Sequence, residues 1–353
     1  MKIAIDCRLF GNSGIGTFIT NIVDNIFTNT NNQFLLIGRN KDLACYKVYP
    51  NIEIQECDIK PFSLKEILFF PTKKINQCDA FFTPYINIPL GIKVPIFSTI
   101  HDVIFFDLKK LTSVFGRCLR WLFYKSTCIR SRLIFTVSDF SKQRILYHFN
   151  PSVPIEIIYN GVSKSIKEQN IENINKKNNI LYVGNIKQHK GLKTLVSAYN
   201  LAKEKGFKQN LLIVGEYKKF KTVDKDFLHA LNTNKDNIIF TGRLSDEELI
   251  RNIKEAQVLV LPSLYEGFGI PPLEALYLGT DVIISDIPSL CEIYKDFPVN
   301  YFKADDIDCL SKLLLNYKHI PINDFETVRK NIDKKYNFNL SANKILETIK
   351  AHL

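Results

Sequence analysis

The chain has 353 residues, a length that fits two domains better than one. A hydrophobic content of 46% with 24% charged residues is ordinary for a globular protein, and a net charge of +11 implies acidic partners: nucleic acid, anionic lipid or a phosphorylated substrate. The eight cysteines show no zinc-type spacing and suit reduced thiols in a cytosolic protein. We expect neither a signal peptide nor a membrane-spanning segment, because no apolar run approaches the roughly 20 residues that span a bilayer.

Short β-branched or aromatic runs alternate with helical patterns, which predicts parallel α/β sheets. The predicted strands are 2–6, 34–37, 79–82, 94–100, 132–138, 180–184, 210–215, 237–241, 257–261 and 282–285. The fold class is therefore α/β, with two doubly wound, Rossmann-like domains that we expect to face a central cleft. A polar stretch separates the two halves, which predicts a first domain over 1–160, a linker over 161–178, a second domain over 179–337 and a last helix over 338–353.

A glycine loop, Gly11-Asn12-Ser13-Gly14-Ile15-Gly16, follows the first strand and precedes a helix. Its G-x-x-G-x-G spacing differs from the dinucleotide fingerprint G-x-G-x-x-G, which argues against a dehydrogenase. Gly14 and Gly16 either face a ligand or form a plain turn. His101 ends strand 94–100 at a carboxyl edge, where a structural and a functional role are equally open, and Ser138 suits a helix N-cap as well as a site.

The segment 113–133 predicts a helix with two faces. One stripe is apolar, and the other interleaves basic residues with Trp121 and Tyr124, as membrane-interface helices do. We interpret the basic side as either an ordinary solvated face or a membrane contact made by Arg117, Lys125 and Arg132.

In the second half, strand 180–184 leads into Gly184-Asn185 and then Lys190-Gly191 at a helix start. A lysine there opposes the helix dipole, so an anion would explain it, although a solvated surface lysine is the simpler alternative. We expect Lys190 to be exposed in the absence of ligand.

The most informative segment runs from Glu266 to Glu274, with Gly267, Gly269 and a Pro-Pro pair between the two acids. The buried run 258–261 precedes it and a helical pattern follows, so the segment is strand, glycine loop and helix N-terminus. Such an end binds anions, and two flanking carboxylates accept hydrogen bonds from hydroxyls. The pattern suits a nucleotide sugar. The plainer alternative is an acid that stabilises its own helix.

These motifs together resemble the family 4 glycosyltransferases, retaining enzymes of the GT-B fold, and most closely the bacterial mannosyltransferase-type members that build surface polysaccharides such as O-antigen or capsule. The resemblance rests on Glu266 and Glu274 in the E-x7-E pattern, on Lys190-Gly191, and on the glycine loop and His101-Asp102. It implies that the first domain faces the acceptor, that the second binds the nucleotide sugar, and that the last helix crosses back to the first.

The resemblance also implies roles for single residues. Glu266, His101 and Lys190 would be catalytic: Glu266 and His101 contact the transferred sugar, and Lys190 neutralises the diphosphate. Glu274 would bind the ribose. Many family members have arginine at the position of Asn185, and Arg243 could substitute for it. The full donor-binding set is Gly14, Gly16, Gly184, Asn185, Lys190, Arg243, Gly267, Phe268, Gly269, Ile270 and Glu274.

The sequence therefore predicts a metal-independent, retaining hexosyltransferase without a cofactor. Its donor is a GDP-mannose-like or UDP-sugar nucleotide, and its acceptor is a glycan on a lipid carrier, at an anionic membrane surface rather than on nucleic acid. We expect it in the cytoplasm or peripherally at the inner face of the plasma membrane. The alternatives are a nucleotide-sugar 2-epimerase, a non-catalytic sugar-nucleotide-binding subunit and, from charge alone, a nucleic-acid-binding protein.

Overall fold

The computed structural model describes every residue except 12, 28–30, 172–173, 216–226, 228–229, 232 and 318–324. Asn12 of the glycine loop and residues 172–173 of the predicted linker thus lie outside the described residues. The strands are β1 Lys2–Asp6, β2 Gln33–Gly38, β3 Ile52–Glu56, β4 Ala80–Thr83, β5 Ile96–Thr99, β6 Leu133–Thr136, β7 Ile155–Ile157, β8 Asn179–Val183, β9 Asn210–Val214, β10 Ile238–Gly242, β11 Val258–Leu261, β12 Asp281–Ser285 and β13 Asn300–Phe302.

The described α-helices alternate with these strands. They are α1 Ser13–Ile26, α2 Asn40–Leu43, α3 Leu64–Phe69, α4 Thr72–Ile75, α5 Ile104–Asp107, α6 Val114–Arg130, α7 Asp139–Phe149, α8 Lys164–Lys167, α9 Leu192–Glu204, α10 Asp246–Glu255, α11 Ile270–Tyr277, α12 Pro288–Tyr294, α13 Ile307–Leu315, α14 Phe325–Lys335 and α15 Phe338–Ala351.

The chain forms two compact units, one of residues 1–160 with 337–353 and one of residues 161–336. The first contains the parallel sheet β3-β2-β1-β4-β5-β6-β7, and the second contains β10-β9-β8-β11-β12-β13. The prediction of two doubly wound α/β domains is confirmed. In both sheets the strand order reverses direction beside the first strand of the unit, and open α/β sheets bind ligands at the carboxyl edge near such a point.

The core of the first unit includes an apolar stripe of α1, with Ile19, Ile22, Val23 and Ile26 buried. The last helix, α15, packs against α1 and adds Ala342, Ile345 and Ile349 to this core. Residues 161–171 and 174–178 belong to the second unit, where α8 contacts α11. Lys167 of α8 forms an ion pair with Asp333 of α14, so the polar segment is anchored on that unit.

Three strands are absent from the sequence prediction: β3, β7 and β13. All three lie at sheet edges, and two of them have only three residues. An edge strand buries little, so its hydrophobic signal is weak. The residues of β3 are only half-buried or exposed, which accounts for the missing signal there.

The structure differs from the predicted membrane face of helix 113–133 at one of its two aromatic residues. The helix spans Val114–Arg130, and Tyr124, which the sequence placed on the membrane face, is buried and donates a hydrogen bond to the Asp102 carbonyl at 2.8 Å. The apolar stripe is exposed, with Phe115 79% and Ile129 68% accessible.

Candidate active site

Lys190 and Glu266 form an ion pair at the carboxyl edge of the second sheet. Nζ of Lys190 lies 2.7 Å from Oε1 and 2.8 Å from Oε2 of Glu266. The two residues are far apart in sequence, and they meet because β8 and β11 are neighbouring parallel strands whose following loops share one edge. Ser263 also donates its hydroxyl to Oε1 at 2.7 Å. The side chain of Lys190 is only 23% exposed, so the expectation of an exposed lysine is wrong.

Gly191 makes the close contact of these two loops possible. Its φ is +66°, and a Cβ at this position would lie 1.8 Å from the Pro262 carbonyl oxygen. A hydrogen bond from the Leu264 amide to the His189 carbonyl, 2.8 Å long, joins the loops again. Only glycine fits at residue 191, because both the backbone conformation and the space exclude a side chain.

The loop that carries Glu266 leads directly into α11. Gly269 has φ +82°, and a Cβ there would lie 2.6 Å from Leu290 Cδ2. Its carbonyl accepts a hydrogen bond from the Tyr294 hydroxyl, which fixes the turn. Since α11 begins with Ile270-Pro271-Pro272, two of its first three residues have no N–H group. The amides that can meet an anion at this helix end are therefore mainly those of residues 267–270.

Glu274 lies in the second turn of α11 and is half-buried. Burial, reinforced by the negative charge of Asp246, raises the pKa of its carboxyl to about 7. None of the described residues donates a side-chain hydrogen bond to it. A carboxylate that is held partly out of water without a donor is ready to accept hydrogen bonds from ligand hydroxyls.

Two further residues that were predicted to bind the donor, Asn185 and Arg243, are exposed on this unit. Asn185 is exposed, and its carbonyl, rather than its side chain, accepts a hydrogen bond from the Tyr182 hydroxyl at 3.2 Å. The adjacent Gly184 packs on the same tyrosine. Arg243 is exposed after β10, which β9 separates from β8, so its backbone is about 10 Å from the β8 loop by strand spacing.

The Phe268 side chain is part of the core rather than of the site surface. It is 3% exposed, and its ring lies 5.6 Å from that of Tyr336 in an edge-to-face contact. Any contribution of Phe268 to ligand binding therefore comes from its backbone. The aromatic ring instead anchors the glycine loop to the protein interior.

In the first unit, His101 is a neutral, well-packed imidazole. Its Nε2 lies 2.8 Å from the Pro84 carbonyl oxygen, and the Phe18 ring packs against it edge to face at 4.9 Å. Burial lowers its pKa to about 4, so the ring is uncharged at neutral pH and donates from Nε2. Nδ1 then remains as an acceptor. Ser138 is the N-cap of α7, in agreement with the structural interpretation of that residue.

The glycines of the first loop have different surroundings. A Cβ on Gly16 would lie 2.5 Å from the Leu9 carbonyl oxygen, so this glycine permits close packing of α1 on its own loop. Gly14, in the first turn of α1, has nothing within 4 Å of the corresponding position. Of the two, Gly14 is the one with space for a ligand.

Sequence reasoning missed a buried ionic cluster at the carboxyl edge of the first sheet. Arg8 donates Nε to Asp6 at 2.9 Å and Nη2 to the other Asp6 oxygen at 2.6 Å, and it also contacts Glu66 and Tyr85. Burial raises the pKa of Glu66, partly offset by Arg8. The only sequence signal was Asp6-Cys7-Arg8 directly after a strand. The cluster joins segments far apart in sequence and fixes the loops at this edge.

No group of three or more His, Cys, Asp or Glu side chains in the described part of the chain is arranged to hold a metal ion. Within the same residues, no helix is long and apolar enough to cross a membrane.

Comparison with known proteins identifies the class. The family model described as "Glycosyl transferases group 1" matches residues 164–334, and that described as "Glycosyltransferase Family 4" matches residues 75–165. The O-antigen chain mannosyltransferase RfbU of Salmonella typhimurium is 30% identical over 262 residues, which are 73% of this chain and 69% of the relative. O-antigen chain mannosyltransferase B of Escherichia coli is 29% identical over 198 residues, which are 52% of this chain and 51% of that protein.

Among solved structures, Anabaena HepE in complex with UDP-glucose matches with a TM-score of 0.74 at 14% identity, over 99% of this chain and 100% of that one. This likeness shows the fold, which is GT-B. The chain belongs to the family 4 glycosyltransferases, and it is a glycosyltransferase.

Proposed function

We propose that the chain transfers a hexosyl group, with mannose favoured, from a nucleotide diphosphate sugar to a growing glycan on a lipid carrier in surface-polysaccharide synthesis. The Salmonella and Escherichia relatives are O-antigen chain mannosyltransferases, which supports mannose and the O-antigen class of acceptor. Transfer proceeds with retention of anomeric configuration and without a metal ion. The lipid carrier and the excess of basic residues favour a cytoplasmic protein held peripherally at the inner face of the plasma membrane.

The single observation that carries this proposal is the Lys190–Glu266 pair in front of the α11 N-terminus. A donor diphosphate carries two negative charges and competes with Glu266 for Lys190. When Lys190 turns to the diphosphate, Glu266 loses its cation, retains the Ser263 hydroxyl, and accepts hydrogen bonds from the hydroxyls of the transferred sugar. Donor binding thereby converts an ion pair into two separate substrate contacts.

The same groups stabilise the leaving nucleotide diphosphate. Negative charge develops on the departing phosphate, where Lys190 and the amides of residues 267–270 are already oriented, so little reorganisation is needed. Glu274 holds the ribose. Arg243 supplies a second cation only if its side chain extends toward the β8 loop, and Gly184 and Asn185 contact the donor through their backbone. In the first unit, Gly14 and the Nδ1 of His101 remain available to a ligand, and Gly16 shapes the glycine loop.

The test starts with thermal unfolding of the purified chain in GDP-mannose, UDP-glucose, GDP and UDP, each with EDTA. A ligand at 100 times its Kd stabilises the native state by about 2.7 kcal/mol, so a true donor raises Tm clearly. The nucleotide that stabilises is then used, as its labelled sugar, with lipid-linked glycan acceptors. Stabilisation that needs a divalent ion contradicts the metal-independent part of the proposal. Absence of stabilisation by every nucleotide sugar contradicts the donor site itself.

A further inference from the structure

Helix α6 exposes an apolar stripe along its whole length. Phe115, Leu119, Leu122 and Ile129 are 48% to 79% exposed and recur at helical spacing, so they form one face, which we call the α6 face. The helix has 17 residues and is therefore about 26 Å long. Its opposite side is the one that packs inward, through Tyr124, Thr127 and Cys128. Large apolar side chains in such a row indicate a surface that is covered in the working protein.

The apolar surface extends beyond the helix on one side. Phe62 is 50% exposed, and its ring lies 5.2 Å from that of Phe123, so it borders the α6 face. At the end of the helix, Arg130 donates to the carbonyls of Ile88 and Pro89, which places the turn with the exposed Leu90 beside it. The α6 face is thus the centre of a broader apolar area.

The charged residues of α6 itself all have one sign. The helix contains Arg117, Arg120, Lys125 and Arg130 and no acidic residue. Lys109 and Lys110 precede it, and the exposed Arg132 follows it. By helical geometry Trp121 and Lys125 lie beside the apolar stripe on one side, where an interfacial helix has its headgroup contacts, whereas Arg117 lies nearer the packed face. A symmetric contact with a second copy would bring two such helices together, and their like charges would repel.

We propose that α6 lies flat on an anionic lipid bilayer, with Phe115, Leu119, Leu122 and Ile129 inserted at the acyl-chain boundary and the flanking basic residues at the headgroups. The docking places the enzyme where a lipid-linked acceptor would be, and to that extent it rests on the proposed function. It is measured without any substrate, however, so its failure leaves the transfer reaction untouched, and failure of transfer leaves the docking intact.

Trp121 gives a direct readout, because it is the one tryptophan of the chain and lies on α6, 44% exposed. Vesicles of phosphatidylcholine with phosphatidylglycerol should shift its fluorescence to the blue, and brominated lipid should quench it. Vesicles of phosphatidylcholine alone should bind at least about tenfold more weakly. High salt should weaken binding to the anionic vesicles without abolishing it, since the apolar insertion is not screened.

The combined variant Phe115→Ser, Leu119→Ser, Leu122→Ser and Ile129→Ser should reduce vesicle binding at least about tenfold, while Tm and nucleotide binding are kept. The matched control is Val48→Ser with Tyr147→Ser, two residues of the same unit that are similarly exposed, and it should bind as the wild type does. Unchanged binding of the α6 variant overturns the proposal, as does equal binding to neutral vesicles. A lipid-free dimer that the α6 substitutions dissociate would also overturn it, in favour of self-association.

Discussion

The ammonium group of Lys190 contacts both carboxylate oxygens of Glu266, at 2.7 and 2.8 Å. Each of these residues is a substrate-binding group in the proposed reaction, and in the ligand-free protein each neutralises the other. The pair gives the buried Glu266 carboxylate a counter-charge and keeps the lysine directed at the site. In the proposed reaction, donor binding therefore exchanges the partners of both residues. A substitution at either one removes a substrate contact and also leaves the other residue of the pair without its counter-charge.

Lys190→Ala should reduce transfer at least about tenfold, because a hydrogen bond to a charged group contributes about 1.5–3 kcal/mol. The matched control is Lys187→Ala, an exposed lysine of the same loop, which should leave kcat/KM within about twofold. Steady-state kinetics of both variants give the comparison. Equal losses in the two would mean that general positive charge, rather than Lys190, attracts the donor.

Glu274→Gln should weaken the binding of the bare nucleotide, whereas Glu266→Gln should mainly lower kcat. Glu274 is a half-buried acceptor without a described donor, which suits a ribose, and Glu266 becomes available for the transferred sugar only when Lys190 leaves it. Calorimetric titration with GDP or UDP, followed by transfer kinetics, separates the two effects. The same loss of nucleotide affinity in both variants would be incompatible with this division of roles.

Donor affinity should fall as pH decreases through about 7, because the pKa of Glu274 is raised to about 7 and its protonated form accepts hydrogen bonds less well. A nucleotide sugar is the right ligand, since its diphosphate diester does not titrate in this range. Burial lowers the pKa of the nearby His189 to about 4, so that imidazole stays neutral there. Affinity measured from pH 5.5 to 8.5 should show one acidic limb in the wild type and none in Glu274→Gln. If donor affinity still falls with decreasing pH in the variant, a group other than Glu274 is responsible.

Because the pKa of His101 is lowered to about 4, this residue should make the native state less stable in acid. The unfolded chain takes up a proton on this residue below about pH 6.5, and the native state does so only near pH 4, so stability falls as pH decreases across that window. His101→Gln can still donate to the Pro84 carbonyl without titrating. Relative to this variant, the wild type should lose about 2–3 kcal/mol of unfolding free energy between pH 7 and pH 4. Urea denaturation at both pH values measures this loss. If the wild type and His101→Gln lose the same unfolding free energy, the buried, neutral imidazole is contradicted.

Gly191→Ala should be strongly destabilising, because the new Cβ would meet the Pro262 carbonyl as well as adopt a positive φ. Gly206→Ala is the matched control, with φ +91° and nothing within 4 Å of its Cβ position. The control should cost about 1–2 kcal/mol for the left-handed backbone alone, and Gly191→Ala about 2 kcal/mol or more beyond that. Denaturation midpoints decide between them. Equal costs would show that the two loops separate easily.

The sequence by itself determined the two sheets and the sheet edge at which the proposed donor site lies. Buried parallel strands such as β8 and β11 are continuous apolar runs, and the glycines and acids that follow them can lie only at the carboxyl edge, so local pattern is enough. The same holds for the start of α11, which the Pro271-Pro272 pair fixes. It does not hold for edge strands such as β3, because their small burial leaves little pattern to recognise.

Only the tertiary structure decided which partners these residues have. The Lys190–Glu266 pair and the Arg8 cluster join segments that approach one another through strand order, and no local spacing encodes such a meeting. The orientation of α6 was decided in the same way. Periodicity identifies an apolar face but not what covers it. Here Tyr124, Thr127 and Cys128 pack against the rest of the first unit. The stripe with Phe115 and Leu122 therefore faces outward.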